Sequence, residues 1–121
     1  MSKDEMIDSI DFILQSIEMI QERFSQIKTP DDFVINTAGM TLLDAITMRL
    51  QVTGETIKKI QKTNPMFFKN YPEIEWSKIS KFRDLVSHHY EHVDHEIVYD
   101  ICQTHIPELN RTIQKIRKDL S

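Results

Sequence analysis

Residues 6–27 read MIDSIDFILQSIEMIQERFSQI. Apolar residues recur through this stretch in alternating steps of four and three, namely Met6, Ile10, Ile13, Ile17, Ile20, Phe24 and Ile27. Such a spacing puts all of them on one face of an α-helix. Because a helix cannot bury that face alone, the stretch predicts a helical bundle or a dimer.

Helical signals continue along the chain. Thr29 and Pro30 indicate the start of a short helix that ends near Ile35. A second long helix is predicted over residues 36–62. Its predicted inner face consists of Met40, Leu43, Ile46, Leu50, Ile57 and Ile60. Gly39 and Gly54 lie within this helix, where glycine permits the close approach of another backbone.

Two more helices are predicted in the C-terminal half. The first begins with Ser77 as its N-cap, ends between His88 and His92, and turns four residues inward, namely Ile79, Phe82, Leu85 and Val86. The last helix begins after Asp94, and Pro107 within it predicts a kink.

Composition agrees with an all-α fold. The chain has 121 residues with only two glycines and four prolines, too few turn-formers for a sheet protein. We therefore predict one domain over residues 1–121, an up-and-down bundle of four to five helices. The single Cys102 fits a reducing compartment, and no apolar run reaches membrane-spanning length. A cytoplasmic protein without a membrane partner is expected.

The stretch RDLVSHHY, residues 83–90, carries the candidate chemistry. Arg83 is a permanent cation suited to phosphate, His88 can move a proton near neutral pH, and Tyr90 can stack on a base. Together they suffice for RNA cleavage without a metal. On a regular helix, Arg83 and His88 would lie roughly 140° apart around the axis. Either the helix loosens before His88, or two protomers share one cleft.

Other interpretations of this region stay open. An arginine near a helix end commonly contacts the last carbonyls, so Arg-x4-His has little specificity by itself. His88, His92 and His95 are spaced so that one helix face could bind a metal. The net charge of −4 disfavours nucleic acid as a partner. A local basic patch would have to come from Lys58, Lys59, Lys62, Lys78 and Lys81.

A longer pattern resembles a known family. Residues 71–76 read YPEIEW, residues 82–90 FRDLVSHHY and residues 93–100 VDHEIVYD. This combination resembles the HepT-like branch of the HEPN superfamily, and residues 49–59 are similar to that family's long helix. The resemblance covers most of the chain. One difference is that Glu91 and His92 replace the short aromatic-glycine turn that usually follows the motif tyrosine.

The resemblance implies a toxin RNase that forms a homodimer, with RNA as its substrate and a minimal nucleotidyltransferase as its antitoxin. It implies that Arg83 and His88 are catalytic, and that Asp84 and Tyr90 bind or orient the substrate. Tyr90 would also be the residue that the antitoxin AMPylates. Glu55 matches an acidic residue often present in the family's long helix. Neither a metal nor another cofactor is expected. The alternative is a non-catalytic HEPN module that binds a nucleotide or a partner.

Overall fold

The computed structural model describes residues 1–89 and 92–121, without the side chains of Arg83, Ser87, His88, His89 and His92. It confirms an all-α bundle. Helix α1 spans Lys3–Phe24. The Ser2 hydroxyl accepts a hydrogen bond from the Glu5 N–H (3.1 Å), and the Glu5 carboxylate accepts one from the Ser2 N–H (3.3 Å). The predicted inner face is buried, apart from the half-buried Phe24.

A 3₁₀ turn over Pro30–Phe33 replaces the predicted short helix. Thr29 is its N-cap residue, as predicted, but the Asp32 carboxylate closes the turn. That carboxylate accepts from the backbone N–H groups of Lys28 (2.8 Å) and Thr29 (3.1 Å). Phe33 is fully buried and anchors the turn in the core.

Helix α2 spans Thr37–Thr63 and runs through both glycines without a break. The Asn36 side chain caps it by accepting from the Gly39 N–H (2.8 Å). A Cβ on Gly39 would overlap the Asp32 carbonyl oxygen, so the predicted close approach of a second backbone is confirmed here. The prediction that Met40 faces inward is wrong, because its side chain is 52% exposed.

Short elements follow α2. They are a 3₁₀ turn over Phe67–Asn70, helix α3 over Trp76–Ile79, helix α4 over Phe82–Val86, and strands β1 over Ser87–His89 and β2 over His92–Val93. The predicted third helix is therefore two helices, and the second ends at Val86, before His88. Ser77 is not the N-cap, because α3 begins after Glu75. Leu85 is 42% exposed and does not belong to the core as predicted.

The C-terminal helices form one continuous helical run. Helix α5 spans His95–Asp100, a π-helical turn spans Ile101–His105, and α6 spans Ile106–Leu120. Pro107 has no N–H for an i→i−4 bond, and its ring would crowd the carbonyl four residues earlier. The wider π turn lies where Pro107 disturbs the regular helix.

Three long helical runs surround the core. Arg23, near the end of α1, donates to the Ala45 carbonyl in the first half of α2 (3.4 Å), so these helices are antiparallel. Arg117, near the end of α6, pairs with Asp11 early in α1 (2.7 Å). Buried isoleucines from all three runs fill the centre. Within the described ranges, no helix has the length and apolarity needed to cross a membrane.

Candidate functional site

Helix α4 carries the first half of the predicted motif. Its five residues include Arg83 and Asp84, and two of its side chains anchor it: Phe82 is 1% exposed and Val86 fully buried. A helix this short is unstable by itself, so tertiary contacts hold it in place. Arg83 has its backbone in α4, while Asp84 has an exposed side chain there.

Gly54 sets the position of α4 against α2. A Cβ on Gly54 would lie 3.1 Å from the Ile79 carbonyl oxygen and 3.4 Å from that of Ser80. These carbonyls belong to the junction between α3 and α4, so the missing side chain lets this junction rest on α2. Glu55, the acidic residue matched to the family's long helix, is the next residue along α2 and is exposed to solvent.

The motif residues Ser87–His89 lie on one strand of a short antiparallel pair. His88 is the central residue of β1, and the register pairs Ser87 with Val93 and His89 with His92, with a bulge between them. Asp94 follows β2, and its N–H donates to the Val86 carbonyl (2.8 Å). The pair is thus joined to the end of α4.

Asp94 also begins the next helix, as predicted. One of its carboxylate oxygens accepts from the N–H groups of Glu96 and Ile97, each at 3.1 Å. This is the N-cap arrangement, in which a side chain satisfies backbone donors that have no helical partner. The chain that carries His88 is therefore held at both ends.

Three of the four predicted site residues have a backbone that the structure describes. The backbones of Arg83, Asp84 and His88 lie on two adjoining elements, and α4 ends between Arg83 and His88. The helix ends before His88, as the first of the two arrangements requires, and the cleft shared by two protomers stays a prediction. Tyr90 lies outside the described residues, as do the side chains of Arg83 and His88.

The single helix face that the spacing of the three histidines predicts for a metal is not formed. His88 and His92 lie on strands, whereas His95 is the first residue of α5, so the three do not share a helix face. Among the side chains that the structure describes, no three His, Cys, Asp or Glu residues form a group that could hold a metal ion.

The YPEIEW segment has a structural role next to this region. The Trp76 ring stacks on Phe68, with centroids 3.9 Å apart, and its indole N–H donates to the Tyr71 carbonyl (2.8 Å). The Tyr71 hydroxyl donates to Asp119 of α6 (2.8 Å). Burial, together with this carboxylate, raises the pKa of Tyr71 to about 12. These contacts fix the start of α3, and hence of α4, relative to α6.

The candidate lysines are all exposed, with Lys58, Lys59 and Lys62 in the last turns of α2. Lys78 pairs with Glu75 (3.1 Å), and Lys81 precedes α4. An open groove lies beside α4, and no sequence pattern predicts it, because its lining comes from segments far apart along the chain. Leu85, expected in the core, is part of that lining.

Comparisons of the sequence with known proteins point to one family. The family model described as "Ribonuclease HepT-like" matches residues 13–116. "Gamma-glutamylcyclotransferase and putative RNase MJ0434" of Methanocaldococcus jannaschii is 35% identical over 121 residues, which cover 99% of this chain and 50% of that relative. "Probable ribonuclease HepT" of Thermococcus cleftensis is 30% identical over 112 residues, which cover 92% of this chain and 94% of that relative.

The chain thus spans half the length of the first of these relatives and nearly all of the second. No solved structure gives a significant match. Because the family model covers most of the chain, this protein belongs to the HepT-like ribonuclease family.

Proposed function

We propose that this protein is a metal-independent endoribonuclease whose working residues are Arg83 and His88. Family membership supports the RNase class. The observation that carries the proposal is the end of α4 at Val86, between the two residues. In a continuous helix, Arg83 and His88 would point to different sides. Because α4 ends between them, this restriction does not apply.

The chemistry needs a group that can accept and return a proton, and a cation. His88 takes the proton from an RNA 2′-hydroxyl, the oxygen attacks the adjacent phosphorus, and the bond to the 5′-oxygen breaks. The departing 5′-oxygen takes its proton from protonated His88 or from water. The products are a 2′,3′-cyclic phosphate and a 5′-hydroxyl. Arg83 offsets the negative charge that develops on the phosphate. Asp84 orients these groups, and Tyr90 positions RNA by stacking.

Cleavage of RNA by the purified protein in EDTA tests this proposal. His88→Ala is expected to lower the rate by at least about 100-fold, the usual contribution of a general base. His95→Ala is the matched control and should cleave like the wild type. Circular dichroism checks that each variant folds. Wild-type cleavage that survives in a folded His88→Ala variant would refute the assignment, as would activity that disappears in EDTA.

The proposal includes a homodimer in which two motifs face a shared cleft. Mixed dimers of Arg83→Ala and His88→Ala subunits distinguish the two possible pairings. If each cleft takes Arg83 and His88 from different subunits, a mixed dimer contains one intact pair and recovers activity. If both residues come from one subunit, no intact pair forms and the mixture stays inactive. The end of α4 before His88 favours the second result.

We further propose that the protein is a cytoplasmic toxin and that a nucleotidyltransferase antitoxin adds AMP to Tyr90. An AMP group would place negative charge and bulk in the path of RNA. The chain has three tyrosines, and the other two have engaged hydroxyls: Tyr71 donates to Asp119 (2.8 Å) and Tyr99 to the Lys28 carbonyl (2.9 Å). These bonds make both poor acceptors of AMP.

Mass spectrometry after incubation with the nucleotidyltransferase and ATP tests the modification. Tyr90→Phe should abolish the gain of AMP, whereas Tyr71→Phe and Tyr99→Phe should retain it. Modification of Tyr90→Phe would refute the site.

If neither the wild type nor any variant cleaves RNA, the non-catalytic binding module becomes the better explanation.

A further inference from the structure

A groove of about 350 Å³ lies between α3–α4 and the helical run from α5 to α6. Its floor is apolar and consists of Ile74, Ile79, Phe82, Leu85, Ile97 and Ile101. Leu85 exposes 42% of its surface here. When a partner covers an apolar side chain that was exposed to water, the free energy of the complex falls.

The rim of the groove is acidic. The described lining contains four carboxylates, those of Glu73, Glu75, Asp100 and Glu108, against one lysine and one histidine, His105, whose Nε2 lies 3.8 Å from Asp100. That lysine, Lys78, is already paired with Glu75 (3.1 Å). The rim therefore keeps an excess of negative charge, which repels the phosphates of RNA and attracts a cationic partner.

Helical segments form both walls of the groove. On one wall, the lining residues Ile97, Ile101, His105 and Glu108 follow at steps of four, four and three. They form one face of a helical run roughly 16 Å long, about three turns. Two of them, Ile101 and His105, are the ends of the π turn, a feature frequent at functional sites. A third helix can lie between two such walls with its apolar face inward.

We propose that this groove binds an amphipathic helix of a partner polypeptide, with aliphatic residues on the apolar floor and Lys or Arg residues at the acidic rim. The inference goes beyond the proposed RNase function and does not depend on it. The bound helix would cover Leu85 and thus contact α4, the helix whose backbone carries Arg83.

Two synthetic peptides test the proposal. One is a fluorescein-labelled peptide of about 15 residues, long enough for a helix, with leucines on one face and lysines on the other. The second has glutamate in place of every lysine. Fluorescence anisotropy should show one-to-one binding of the lysine peptide. The glutamate peptide should bind at least about ten-fold more weakly, because its charges repel the rim.

Charge reversal then locates the binding site. Asp100→Lys/Glu108→Lys should weaken binding of the lysine peptide by at least about ten-fold. The control Asp8→Lys/Glu18→Lys makes the same change of net charge at exposed positions of α1 and should bind like the wild type. Leu85→Gln, which leaves the charge unchanged, should weaken binding several-fold.

Four results would overturn the proposal. They are equal weakening by the groove and control reversals, equal binding of the two peptides, an unchanged affinity in Leu85→Gln, and no binding at all. Sedimentation adds a further test, because loss of a dimer only in Asp100→Lys/Glu108→Lys would make the groove an interface between copies of this chain.

Discussion

Replacing Gly39 by alanine should destabilise the protein, although alanine is the better helix former. Gly39 lies in the first turn of α2, and a Cβ there would overlap the Asp32 carbonyl oxygen. In a free helix the change would stabilise by about 1 kcal/mol. Here the 3₁₀ turn over Pro30–Phe33 must move away from α2 to admit the methyl group.

The cost follows from what that turn holds. Phe33 is fully buried, and withdrawing such a side chain from the core costs roughly 2–3 kcal/mol when most of its burial is lost. Subtracting the helix-propensity gain leaves a net loss of about 1–2 kcal/mol. For a domain of this size, that corresponds to a fall in Tm of roughly 4–8 °C.

Urea unfolding followed by the fluorescence of Trp76, the single tryptophan, measures the change. Gly54→Ala is the matched control in the same helix. Its Cβ would lie 3.1 Å from the Ile79 carbonyl, so a small shift relieves the contact and the result should stay within about 1 kcal/mol of wild type. A Gly39→Ala protein as stable as wild type would show that the turn does not rest on α2 as described.

Three further predictions concern the framework of the site. Trp76→Phe leaves the Tyr71 carbonyl without its indole donor and should cost about 1–3 kcal/mol, measured by circular dichroism during urea unfolding. Asp94→Ala removes an N-cap and should cost about 1 kcal/mol in the same assay, while a neutral result would refute the capping role. Burial raises the pKa of Tyr71 and of Cys102 to about 12 each, so both favour the folded state only while protonated. Their contribution to the free energy of unfolding should be complete below about pH 9 and lost as the pH rises to 12. In urea unfolding at a series of pH values, Tyr71→Phe/Cys102→Ala should show a smaller decline than the wild type.

The sequence predicted α1 well because its signal is local. Every buried apolar position of that helix recurs in steps of four and three, a pattern that can be read from neighbouring residues alone. The prediction for α2 failed at Met40 for a definable reason. The inner face begins at Gly39 and continues through Leu43 and Ile46, all buried. A glycine carries no apolar signal, so the spacing of apolar residues predicts Met40 in its place.

The third predicted helix failed for a non-local reason. Leu85 follows Phe82 by three residues, which is normal for a helical inner face, yet Val86 is the residue that reaches the core. In a helix of five residues, the surrounding elements decide which face is buried. The groove lined by Leu85 joins segments more than twenty residues apart, such as Phe82 and Glu108, and periodicity cannot reveal that proximity.

The candidate site shows why Arg-x4-His has little meaning without its context. In a continuous helix, the Val86 carbonyl would accept a hydrogen bond from the N–H of residue 90. Here it accepts one from the Asp94 N–H (2.8 Å). The same aspartate caps α5, so one residue both holds the strand pair against the end of α4 and begins the next helix. Asp94 therefore supplies, at the end of α4, the hydrogen bond that the next helical turn would otherwise supply, and this places Arg83 and His88 on different elements.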